Sequence, residues 1–330
     1  MAGRRAIGRN VHIYNFAEPD KQLGGLRLNP SVTKGTFLTM LSILIVASGP
    51  YRVISRSTGD DLAATDEVLQ PGHYDIRPYS RKDTISITDD PCILRIISHS
   101  STGRDQSFRT QVRERDGKCV ITGLINDEAD SDEWSGFHAA HIFPLSSEDY
   151  FLQCGFSRWI TNRTGERDTG INSCQNGLLM QSNVHEKFDG LFFSINPDDG
   201  YKIVCFDKDI LGIGGKILDP VCRDSSDNRR ASDELLRWHF RQAVLANMRG
   251  AGEPTFETDF PPGTDMMGEI LNGPKAAKRM EAELFSRLHG YSTITLCSRL
   301  VAYGDYLRVK STVIPLQLFM LIEILSFMTL

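Results

Sequence analysis

The chain has 330 residues, 40% of them hydrophobic and 24% charged, with a formal net charge of −5. That length exceeds one ordinary domain and that composition suits packed cores, which excludes a disordered chain. The acidic balance excludes a protein that coats nucleic acid non-specifically, while a locally basic cleft stays compatible with it.

Seven scattered cysteines without a CxxC pair argue against a disulfide framework. A reducing setting is expected, intracellular in cytoplasm or nucleus and not secreted. The opening MAGRRAIGRN leads into no signal-like apolar core, and Phe37–Ala47 is too short to span a bilayer. Ile314–Leu330 is apolar but interrupted by Pro315, Gln317 and Glu323, so a buried terminal helix is expected and no membrane partner.

Residues 1–90 read as a small α+β domain. NVHIYNF and GGLRLN have strand character around the turn-prone AEPDKQ. TKGTFLTMLSILIV carries Phe37, Leu38, Leu41, Leu44 and Ile45 at helical spacing, with Ser31 or Thr33 placed to cap it. PYRVISR and GHYDIRP read as two further strands. Strand, strand, helix, strand, strand suggests a ubiquitin-like, β-grasp arrangement, with an unspecific α+β domain as the alternative. His12 and His73 read as isolated strand-surface residues.

Residues 91–106 read as a linker inside a polar stretch, with a short strand around ILRIIS. A second unit over 107–250 starts with a helix in FRTQVRERDGKC, where Phe108 and Val112 line one side. KCVITGL and GFHAAHIFPL read as strands separated by the acidic loop NDEADSDEW. Ser146–Ser173 reads as an insertion over the site, NGLLMQSNVHEKFDG as helical, and LFFSINPDDGYKIVCF as a hairpin turning at Asp199-Gly200. DELLRWHFRQAVLANMR is an amphipathic helix with Leu236, Phe240, Val244 and Met248 on one face. Residues 251–290 read as a connector and a further helix from Pro274, and 291–330 as an apolar tail of uncertain structure.

The chemistry concentrates in CVITG, HAAHIFPL and NGLLMQSNVHEKFDG, whose His141, Asn176 and His185 combine a base, an orienting amide and a metal-ligating imidazole. This segment resembles the HNH endonuclease family, in particular its fungal-type branch, over residues 107–200. The resemblance implies a ββα-metal module: two antiparallel strands, a helix and one divalent cation. It implies His141 as general base, suited by an imidazole pKa near operating pH. It implies Asn176 as the residue holding the loop and orienting that base, and His185 as a metal ligand. The cation would be Mg²⁺ or Mn²⁺, with Zn²⁺ or Ni²⁺ also suited to an imidazole.

Two positions depart from the family pattern. Ala140 stands where many members have a second metal ligand. His138 shares its strand face and could compensate through a bulge or a shifted ion, and Asp189, four residues after His185, could serve instead. Glu186 points elsewhere on the helix. Thr122, Gln181 and Val184 replace three of four cysteines that hold a structural zinc in many members, leaving Cys119, so no structural zinc is expected there.

Arg109, Arg113, Arg115 and Lys118 are candidate contacts to a nucleic-acid backbone, diluted by Glu114 and Asp116; Arg237 and Arg241 are later candidates. Trp159 and Trp238 read as core residues. The leading expectation is a metal-dependent endonuclease acting on nucleic acid, DNA first. The alternatives are a catalytically degenerate module that binds nucleic acid or protein, and a structural zinc site of Cys119, His138, His141 and Cys174.

Overall fold

The computed structural model describes residues 5–93, 103–163, 165, 168–252, 263–272 and 276, all within the unit Met1–Ser286. The tail 291–330 and the strand expected at ILRIIS beyond Ile93 lie outside the described residues. So does the helix expected from Pro274, apart from the helical Ala276.

The N-terminal part forms β1 (Val11–Asn15), β2 (Glu18–Leu26), α1 (Lys34–Leu44), β3 (Ile45–Ala47), β4 (Tyr51–Ser55), β5 (Gly72–Pro78) and β6 (Ile85–Ile87). Its main sheet runs β2-β1-β5-β4, with β1 and β5 parallel at the centre and antiparallel strands on both edges. That is the sheet of a β-grasp arrangement, with the helix between the second and third main strands. Alternation explains its sidedness: Val11, Ile13, Tyr74, Ile76 and Val53 point to one face and pack with Phe37, Met40, Leu41 and Leu44 of α1. Thr33 caps α1, its side chain accepting from Thr36 N.

Three local expectations need correction. AEPDKQ is mostly strand, because β2 begins at Glu18 and register shifts around Tyr14 absorb the mismatch with β1. The helix ends at Leu44, and Ile45–Ala47 turns into a strand pairing with β6, in the polar stretch ahead of the expected 91–106 linker. β-branched Ile45 and Val46 favour that switch.

The second part contains α2 (Gly103–Asp116), β7 (Phe137–His141), α3 (Glu148–Gln153), β8 (Gly177–Gln181), α4 (Ser182–Asp189), β9 (Phe193–Asn196), β10 (Lys202–Cys205) and α5 (Asp233–Met248). A further short helix, α6, covers Met266–Asn272. The ββα unit is β7, β8 and α4, with β7 and β8 antiparallel and His141 opposite Gly177. KCVITGL is not its first strand. That segment is a tight turn, closed by a Lys118–Ile125 bridge and by Gly123 N donating to Cys119 O at 2.8 Å. GLLMQ, read as helical, is the second strand: a continuous buried run fits a fully covered strand as well as a buried helix.

Helix α5 is buried nearly all round rather than along one stripe. Leu235, Leu236 and Trp238 pack into the core around β7, β8 and α2, whereas Phe240, Ala243, Val244 and Met248 pack into the core of the N-terminal sheet. One helix thus supplies side chains to both cores. No helix among the described residues is long and apolar enough to cross a membrane.

Candidate active site

His141 ends β7, and its ring lies flat on Phe108 of α2, with centroids 3.9 Å apart and planes 9° from parallel. The close packing of α2 needs Gly177 on the neighbouring strand, where a Cβ would stand 2.6 Å from the Phe108 ring and 2.7 Å from Val112. His141 Nε2 lies 3.3 Å from Asn172 Oδ1. With the amide oxygen as acceptor, Nε2 carries the proton.

Asn176 is fully buried and acts on the backbone after His141. Its Oδ1 accepts from Phe143 N at 2.7 Å, and its Nδ2 donates to Phe143 O at 3.0 Å and Ile171 O at 2.8 Å. Its own carbonyl accepts from Ile142 N at 2.9 Å. Asn176 therefore fixes the turn leaving β7, while the contact to the imidazole comes from Asn172. The sequence reading missed Asn172 and Phe108 as partners of His141. Asn172 had no signal beyond its place four residues before Asn176, and Phe108 reads as any apolar helix residue.

His138, His185 and Asp189 form a chain of contacts on the side of β7 that faces α4. His138 Nδ1 and His185 Nδ1 are 3.2 Å apart, their rings nearly perpendicular. His185 Nε2 lies 3.1 Å from Asp189 Oδ2, one helical turn on. If the carboxylate accepts from Nε2–H, the lone pair of His185 sits on Nδ1, facing His138. Burial depresses the pKa of His138, and the neighbouring His185 adds to the shift, so the neutral ring is favoured. The alternation of β7 puts His138 and position 140 on one face and His141 on the other. Ala140 is fully buried.

Two imidazoles with a carboxylate suit a borderline divalent cation. Nitrogens bound to one ion at about 2.0–2.1 Å are roughly 3–3.4 Å apart in octahedral or tetrahedral shells, and the two Nδ1 atoms are 3.2 Å apart. Asp189 engages the far nitrogen of His185, the position of a carboxylate that orients a ligating imidazole. The donors meet pairwise: no group of three or more His, Cys, Asp or Glu side chains converges as a metal site among the described residues. The alternative set Cys119, His138, His141 and Cys174 does not converge either; both cysteines are buried in the core. At the positions where the resemblance places zinc ligands, Thr122 Oγ1 donates to Gln181 Oε1 at 2.7 Å and Cys119 and Val184 are buried.

Arg115 cannot contact a nucleic acid from where it lies. Its side chain is 1% exposed, pairs with Asp116 and donates to the carbonyls of Cys174, Gly177 and Arg229. Its companion Asp116 also accepts from Leu179 N at 2.8 Å, tying α2 to β8. Lys118 pairs with Asp219, and Arg113 lies over the Trp134 ring at 4.8 Å. Arg109 lies close enough to His138 to oppose its protonation. Arg237 pairs with Asp198 and Glu234, and Arg241 with Asp90. Trp238 is buried against Phe143, as a core tryptophan should be, while Trp159 is 43% exposed.

Residues 8–82 match a family model described only as a domain of unknown function. Residues 119–196 match the model of the HNH endonuclease family. No curated protein and no solved structure matches the chain. The second match spans β7, β8 and α4, with His138, His141, Asn172, Asn176, His185 and Asp189 all inside it. Residues 119–196 thus form a domain of the HNH endonuclease family, joined behind an N-terminal sheet domain.

Proposed function

We propose that this domain hydrolyses phosphodiester bonds of nucleic acid, DNA before RNA, with His141 as the general base. The observation that carries the reading is the His138–His185 pair, its two Nδ1 atoms 3.2 Å apart and its second ring held by Asp189. His138 and His185 would hold a divalent cation through Nδ1, with water and substrate oxygens completing the shell. Such an ion supplies positive charge where negative charge builds on the scissile phosphate.

The protein groups divide the remaining work. Asn176 keeps the backbone at Ile142 and Phe143 in one conformation, and Phe108 fixes the plane of the His141 ring. With Nε2–H turned to Asn172 Oδ1 at 3.3 Å, the lone pair of the neutral His141 ring is on Nδ1, the nitrogen that would take the proton of an attacking water. Arg109, whose charge opposes protonation of His138, would be the cation that meets a non-bridging oxygen. Imidazole donors favour Mn²⁺, Zn²⁺ or Ni²⁺ over Mg²⁺, which prefers oxygen ligands.

Plasmid nicking tests this. The full chain should nick DNA only with an added divalent cation, and His141→Ala should lower the rate by at least 100-fold. Cation-dependent DNA binding without cutting by the wild type would favour a degenerate binding module. Equal cutting by wild type and His141→Ala would remove His141 from the mechanism.

A further inference from the structure

Helix α4 carries His185 and Asp189, and its C-terminal end is held from outside the matched domain. Gly190 follows the helix, and Leu191 then takes a positive φ of 58°, unusual for a branched residue. Such a backbone persists only where its surroundings fix it. Arg5, 185 residues away in sequence, reaches this end: its Nη2 donates to Gly190 O at 2.8 Å. Its Nη1 donates to Asn247 Oδ1 at 2.7 Å, and Asn247 Nδ2 donates in turn to Leu191 O and Ala243 O, both at 2.7 Å.

The guanidinium also lies 4.9 Å from the centre of the Phe192 ring. Arg9 continues the attachment: it donates to Gly250 O at 2.8 Å and to Asn247 O, at the end of α5. Both arginines are more than nine-tenths buried, and their donors meet carbonyls at two helix ends, where positive charge is favoured.

We propose that Arg5 is a positioning residue for the nuclease site, the N-terminal segment clamping the end of the helix that presents His185 and Asp189. The placement rests on the endonuclease reading above for its consequence, and on the hydrogen bonds of Arg5 and Asn247 for its geometry. A few tenths of an ångström at Gly190 carry through one rigid helical turn to Asp189 and His185. Loss of the clamp therefore loosens the His185–Asp189 contact and widens the gap between the two Nδ1 atoms. Removing a partner that orients a metal ligand typically lowers metal affinity by about 10–100-fold.

Arg5→Ala and Arg5→Lys in the full chain provide the test, with Arg56→Ala as control. Arg56 pairs with Asp75, donates to Pro19 O and lies over the Tyr14 ring, all within the N-terminal sheet domain. Two readouts are needed: amide hydrogen exchange over residues 182–192, and Mn²⁺ affinity by titration. Arg5→Ala should speed exchange in that segment and weaken Mn²⁺ binding about tenfold or more, Arg5→Lys should recover part of both, and Arg56→Ala should change neither. Unchanged exchange over 182–192 in Arg5→Ala overturns the clamp. An equal loss in Arg56→Ala also overturns it, because the effect is then general destabilisation. Should Arg5→Ala fail to fold, Arg5→Lys alone decides, by faster exchange confined to 182–192 or none. Faster exchange with no Mn²⁺ binding even by the wild type upholds the clamp and rejects the nuclease reading.

Discussion

Substituting Asn176 by Ala should cost more than most single changes. The side chain satisfies three buried backbone groups: Phe143 N–H, Phe143 C=O and Ile171 C=O. Alanine leaves all three without that partner, at about 1–3 kcal/mol for each group left unsatisfied. A water entering the space would offset part of this, so about 3–5 kcal/mol is expected, against about 5–15 kcal/mol for a typical folded domain. Asn176→Asp keeps the size but turns carboxylate oxygen toward two carbonyls, and should be at least as destabilising at neutral pH. Urea unfolding followed by Trp238 fluorescence reports directly, since that indole packs 4.0 Å from the Phe143 ring. At an m-value of about 3 kcal/mol/M the midpoint should fall by roughly 1–2 M. Both variants within about 1 kcal/mol of wild type would refute the clamp role of Asn176.

Other expectations follow from particular contacts. Gly177→Ala drives a methyl into Phe108 and Val112, and overpacking of this kind costs about 1–3 kcal/mol; nicking should fall further than stability, because Phe108 supports the His141 ring, and an unchanged rate would argue against that support. Excising 107–250 uncovers Phe240, Val244 and Met248 on α5, a loss of about 5–9 kcal/mol at roughly 1.5–3 kcal/mol each; the fragment should be insoluble or molten by near-UV circular dichroism, and a cooperative melt would count against the shared helix. The Arg241 guanidinium hydrogen-bonded to Asp90 holds that carboxyl below its ordinary pKa. The pair therefore stabilises above the unfolded carboxylate pKa of about 4 and is lost as pH falls through the lower folded value. Being partly exposed, it is worth under about 1 kcal/mol, so Asp90→Asn should be slightly less stable than wild type at pH 6, with the difference shrinking as the pH falls below about 4.

Much of this was legible because it rests on local rules. The Thr33 cap, the helix from Asp233, the hairpin on either side of Asp199-Gly200 and the hairpin–helix–hairpin order of the first domain follow from caps, periodicity and turn residues. The chain did not disclose that GLLMQ is a strand, since unbroken apolar runs carry no period. Nor did it show that CVITG is a turn, where a Thr122–Gln181 hydrogen bond joins two positions at which the resemblance implies zinc ligands. Arg115 reads as surface cation, yet its neighbour Asp116 and three carbonyls from distant segments draw it inside. His138 and His185 were visible as candidates, but their meeting depends on the register of β7 and β8 and on where α4 begins. Arg5 could not be read at all, because its partners at Gly190 and Asn247 come only from the tertiary fold.

The central claim is that His138 and His185 bind one cation through Nδ1 while Asp189 holds His185 Nε2. Long-range ¹⁵N–¹H spectra of the histidine rings, recorded as Zn²⁺ is added, test it most directly. The account predicts metal-induced shifts at Nδ1 of both rings, one equivalent of zinc, and a retained Nε2–H on His185 that disappears from its protected state in Asp189→Asn. Coordination through Nε2 of His185, or no change at either ring at saturating zinc, would contradict it.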